Sequence, residues 1–127
     1  MTHDQFVGRV QHLAELPSRG DAERIIRATL ETLAERLQPH AAAHVAAQLP
    51  AELGRHLLHA DRFEHLTVEE FTGRVAMRAG STLGKALFHT HCVLDVLCAA
   101  ISPGAVHRLR LQLPAEYQEL FEAHASA

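Results

Sequence analysis

Gln48-Leu49-Pro50-Ala51-Glu52 returns, residue for residue, as Gln112-Leu113-Pro114-Ala115-Glu116, sixty-four positions later. Outward from this motif, Phe6-Val7-Gly8-Arg9-Val10 matches Phe71-Thr72-Gly73-Arg74-Val75 at an offset of 65, and Gln38-Pro39 matches Ser102-Pro103 at 64. Copy two is thus one residue shorter, a deletion placed in the loop where Leu16-Pro17-Ser18 corresponds to Gly80-Ser81-Thr82. Each copy reads helix, turn, long helix, Pro, helix, Leu-Pro, short helix. Two copies are too few for a solenoid, which needs about three or more repeats to bury a continuous core. The expected fold is therefore all-α: one domain, an eight-helix pseudo-twofold bundle of two tandem four-helix repeats, copy one over about 2–60 and copy two over about 67–124.

Composition agrees. A chain of 127 residues that is 47% hydrophobic can bury a core of its own. Ala and Leu dominate and Trp is absent, which favours helix over strand. The formal charge of −3 leaves no basic footprint for nucleic acid, although eleven histidines make it sensitive to modest acidification. Cys92 and Cys98 fall in one predicted helix, about 9 Å apart along its axis, too far for a mutual disulfide. Reduced thiols suit a cytoplasmic home. Met1-Thr2-His3-Asp4-Gln5 does not read as a signal peptide, and no apolar stretch is expected to reach the ~18 residues that span a membrane.

Along the chain, Thr2 with Gln5 and Thr67 with Glu70 read as capping boxes that start helices one and five. Phe6, Val10 and Leu13 in the first, and Phe71, Val75 and Met77 in its counterpart, are expected to face the core. Gly8 and Gly73, costly inside helices, suggest close helix approach there. Helix two is expected at about 21–37, with Ile26, Leu30, Leu33 and Leu37 buried and Glu23, Arg27, Glu31 and Glu35 on a solvated face. Pro39 opens helix three, which points Val45 and Leu49 inward; Pro50 opens helix four, with Leu53, Leu57 and Leu58 buried. Phe63 and Leu66 lie in the connector. Val106, Leu109 and Leu113 of helix seven, then Tyr117, Leu120 and Phe121 beyond Pro114, complete the core, and His124-Ala125-Ser126-Ala127 should fray.

Helix six, at about 82–101, breaks the repeat. Leu83, Leu87, Thr90, Leu94, Leu97 and Ile101 keep the core stripe, while Phe88, Cys92, Asp95 and Ala99 occupy nearly the opposite face, where helix two carries Arg24, Ala28, Glu31 and Glu35. Two readings are open for this mostly apolar face. It is either covered by copy one, or it is a surface for a second copy or another protein, with Phe88 as anchor.

The paired capping boxes, the Phe-x-Gly-Arg-Val segments and the closing Leu113-Pro114-Ala115-Glu116-Tyr117-Gln118-Glu119-Leu120-Phe121 resemble the bacterial domain of unknown function 2267 family over nearly the whole chain. The resemblance implies a small all-helical bacterial protein and brings no catalytic residues. Helix six departs from that family's more charged pattern, which makes Phe88, His89, His91 and Cys92 features of this member.

Chemistry-bearing side chains are few. His40 with His44, His56 with His59, and His89 with Cys92 are spaced one helical turn apart, so two such pairs brought together would bind zinc or another transition metal. No His-Glu-x-x-His occurs, and Cys92 and Cys98 lie mid-helix in apolar company, which reads as inert packing rather than as an activated nucleophile. Arg108 and Arg110 point apart on one helix, a weak basis for nucleic-acid contact. The expectation is a non-enzymatic, cofactor-free, cytoplasmic interaction or self-association module; the alternatives are a histidine-based metal binder and a nucleic-acid-associated regulator. No membrane role is expected.

Overall fold

Thr2 and Thr67 each start a helix through the expected reciprocal cap. The Gln5 and Glu70 amides donate to the threonine hydroxyls at 3.1 Å, and the threonine amides donate back to the Gln5 and Glu70 side chains at 2.9 Å. Ser18, Thr82 and Ser102 cap three further helices by accepting the amides of Asp21, Lys85 and Ala105. The computed structural model describes residues 1–60 and 62–122. Among them the chain is all-α: α1 (His3–Leu13), α2 (Arg19–Arg36), α3 (Pro39–Ala46), α4 (Ala51–Leu57), α5 (Val68–Ala79), α6 (Leu83–Ala100), α7 (Pro103–Leu111), then a 3₁₀ turn (Ala115–Tyr117) running into α8 (Gln118–Phe121). The expectations for His124–Ala127 and for a second copy reaching 124 lie outside the described residues.

The two longest helices form the centre. α2 packs on α1, α3, α4, α5 and α6; α6 packs on α1, α2, α5 and α8; α3 and α7 meet at one end. One connected cluster of buried apolar side chains draws on all of them, from Phe6 and Val10 through Ile26, Leu30 and Leu33 to Leu94, Leu97 and Leu120. Tyr117 ties the last turn to the connector, its buried hydroxyl donating to the Leu66 carbonyl at 2.6 Å and its ring meeting Phe71 edge-on. Arg36, 5% exposed, lies with its guanidinium 4.9 Å from the Phe63 ring centre and 5.4 Å from that of Tyr117, so a cation is held against aromatic faces at the end of α2.

Several sequence expectations are corrected. Leu13, Leu58, Met77, Leu83 and Leu87 were placed in the core, and all are exposed, Met77 by 75% and Leu83 by 62%. Leu13, Leu58, Met77 and Leu83 sit within two residues of a helix end and Leu87 in the second turn of α6, where the packing leaves them largely uncovered. Gly8 does not mark a close approach, since a Cβ built there would meet nothing within 4 Å, and one at Gly73 would meet only the Leu83 side chain at 3.9 Å. Glu35 does not lie on a solvated face: its carboxylate accepts from Arg74 at 2.9 Å and Arg78 at 2.5 Å, while Arg74 also donates to Glu64 and Arg78 to the Thr32 hydroxyl. Finally, α6 is eighteen residues long with only Lys85 and Asp95 charged, so by length and composition it could cross a membrane; here it is a core helix with Thr90 to Leu94, Val96 and Leu97 buried.

Candidate functional site

The outer surface of the α5–α6 pair carries four of the exposed large apolar side chains. Leu83 and Leu87 are one turn apart on α6 and Phe88 follows directly. Leu83 lies against Gly73, one turn before Met77 on α5. All four large side chains are between 39% and 75% exposed. Their origin is local. Thr82 caps α6, and among the first six residues of the helix only Ala86 is buried.

The face expected from sequence is divided by the structure. Phe88, Asp95 and Ala99 are exposed, but Cys92 is 6% exposed and turned inward. Burial, with a smaller contribution from the Asp95 charge, pushes the Cys92 thiol up to about 11. Burial also raises Cys98, which is half-buried. Both thiols therefore stay protonated near neutral pH, the opposite of an activated nucleophile. The missed members are Leu83, Leu87 and Met77, which helical spacing had assigned to the interior.

The histidine pairs are dispersed. His40 and His44 are exposed on α3, where they border a groove of about 90 Å³ shared with Ala105, Arg108 and Leu109 of α7. His89 is half-buried on α6, its imidazole pKa lowered by burial and by the Lys85 charge, while Cys92 is buried. Among the described residues no three His, Cys, Asp or Glu side chains converge as a metal-ligand group. His56 lies in a separate cleft with His3, Arg27 and Arg55, while His59 borders the adjoining depression. On α7, Arg110 is engaged by the Gln118 side chain and lies 5.6 Å from the Phe121 ring centre, leaving Arg108 as the outward cation at the α3–α7 groove.

These features define a small all-α protein with large apolar side chains exposed on the outer surface of one helix pair. The chain belongs to the family described as "Uncharacterized conserved protein (DUF2267)", which matches residues 3–120. No curated protein matches the chain.

Proposed function

We propose that this protein is a non-enzymatic interaction module that self-associates through Met77, Leu83, Leu87 and Phe88. One observation carries the reading. Leu83, Leu87 and Phe88 correspond, at the repeat offset of 64, to Arg19, Glu23 and Arg24 of α2, and both sets are exposed. Met77 corresponds at offset 65 to the exposed His12. Sites that carry charge or imidazole in copy one carry large apolar groups in copy two, and neighbouring exposed apolar side chains are characteristic of protein contact surfaces. A second copy of the chain is the simplest partner, since a self-complementary patch closes as a dimer; another protein is the alternative partner. Reduced thiols fit a cytoplasmic setting.

The underlying architecture in this reading is two tandem four-helix units. Its support is a correspondence of contacts: α1 packs on α2 as α5 does on α6, α2 on α5 as α6 on α1, and α2 on α4 as α6 on α8. The turn after each first helix also uses a left-handed residue at the matched position, Glu15 at φ 52° and Gly80 at φ 67°.

Light scattering coupled to size exclusion tests the function. The wild type is expected to run as a dimer or larger, and L83E/F88E as a monomer of unchanged helicity. A wild-type monomer at the highest attainable concentration would remove self-association, and an unchanged oligomer in the variant would remove this surface.

A further inference from the structure

Between α1, α2 and α4 lies a cleft of about 320 Å³, whose lining includes His3, Arg24, Arg27, Glu52, Arg55 and His56. A second depression adjoins it and shares three of these side chains, Arg27, Arg55 and His56. Three guanidinium groups and two imidazoles thus gather in one concavity of a chain whose net charge is −3. The cations are only partly neutralised. Arg27 is bonded to Glu31 at 3.0 Å, Arg24 is 3.8 Å from Asp21, and Arg55 forms no ion pair among the described residues.

Copy two carries different side chains at the positions that line this cleft. At the positions of Leu53, Arg55 and His56, copy two has Tyr117, Glu119 and Leu120. Tyr117 and Leu120 are each 1% exposed, and Glu116, the partner of Glu52, accepts the Val68 amide at 3.1 Å. The larger Tyr117 ring and the committed Glu116 belong to the packing there. Copy one has the smaller Leu53 at the Tyr117 position and an exposed Glu52 that, among the described residues, accepts no backbone amide from another helix.

We propose that this cleft is a binding site for a small phosphate monoester carrying hydroxyl groups, with Arg27 and Arg55 holding the phosphate and Glu23 and Glu52 accepting from the hydroxyls. Guanidinium groups match phosphate oxygens in geometry and charge. Gly20, in the first turn of α2, adds the positive end of a helix to the same wall. The two carboxylates in the lining disfavour an extended polyanion such as a nucleic-acid backbone, and a volume of about 320 Å³ suits a small molecule.

Isothermal titration calorimetry at low salt with ribose 5-phosphate, inorganic phosphate and ribose tests the site. Ribose 5-phosphate is expected to bind at least about tenfold more tightly than inorganic phosphate, ribose not at all, and R27A/R55A to lose the binding. Because R27A removes the Glu31 contact, R55Q serves as the second variant: Arg55 forms no ion pair among the described residues, and the change is expected to weaken ribose 5-phosphate about tenfold or more with helicity intact. The proposal is overturned by no heat from ribose 5-phosphate, by affinity no better than for inorganic phosphate, or by binding that survives in R55Q and R27A/R55A.

Discussion

Gly54, rather than the repeated Gly8 and Gly73, is the glycine that packing requires. A Cβ at Gly54 would lie 2.9 Å from the carbonyl oxygen of Ala46, where α4 passes close to the end of α3, and that neighbour is backbone with little room to yield. Gly8 is exposed in the middle of α1 with open space around it. The same substitution therefore has opposite signs at the two sites. G8A gains helix propensity and is expected to stabilise by up to about 1 kcal/mol. G54A gains the same propensity but overpacks, at about 1–3 kcal/mol, for an expected net loss near 1 kcal/mol. Chemical denaturation of the two variants checks this, and equal shifts in the two would show that the α3–α4 contact yields. Recurrence in the sequence could not separate these glycines, because Gly8 and Gly73 recur with the duplicated segment whereas the need for Gly54 comes from a helix eight residues upstream.

At the scale of elements, the contact between α2 and α5 is fixed by charge as well as by apolar packing. Arg74 and Arg78, one turn apart on α5, both donate to Glu35 on α2, and Arg74 extends the network to Glu64 in the connector. The Glu35 side chain is 14% exposed, so its removal leaves two half-buried guanidinium groups with Glu64, bonded to Arg74, as the remaining carboxylate of the network. E35A is expected to cost about 2 kcal/mol, between the values for exposed and buried pairs. A loss of roughly half a kcal/mol or less in urea unfolding would mean that the network is effectively solvated. Here the sequence was legible only in part. Caps such as Thr2 and Thr67 were readable because each is settled within four residues, and Ile26, Leu30, Leu33 and Leu37 because one helix period defines a face. Periodicity gives the direction of a side chain but not how far the opposing helix extends along it. Leu83 and Leu87 obey the core period and still emerge into solvent, and Glu35 shares a period with Glu31 yet meets α5. The interaction surface and the cationic cleft both depend on such three-dimensional overlaps, between residues up to about fifty positions apart in the case of His3 and His56.

For the whole molecule, the shifted titrations combine into one stability profile. His56 is held below its ordinary 6.5 first by burial, then by the Arg55 charge, with Arg27 and His3 acting in the same direction against Glu31. His89 is lowered by burial and by Lys85. In the unfolded chain these imidazoles take up protons at ordinary values, so on acidification the unfolded state binds more protons than the folded one, and stability present above about pH 7 is lost as the pH falls through the lowered folded values. Glu35 adds a second acid step. Burial alone would raise it, but the hydrogen bonds and charges of Arg78 and Arg74 outweigh that and hold it below 4.5, so its contribution persists above that value and disappears as the pH falls further. On the alkaline side the sign reverses: Cys92, raised by burial from 9.0 to about 11, ionises first in the unfolded chain, and stability is lost as the pH rises from 9 toward 11. Calorimetric Tm is therefore expected to be highest between about pH 7 and 9, to fall on both sides, and to fall less between pH 7 and 5 in H56Q/H89Q. A wild-type Tm that stays level from pH 7.5 to 5 would show that the folded protein protonates these two histidines as readily as the unfolded chain does.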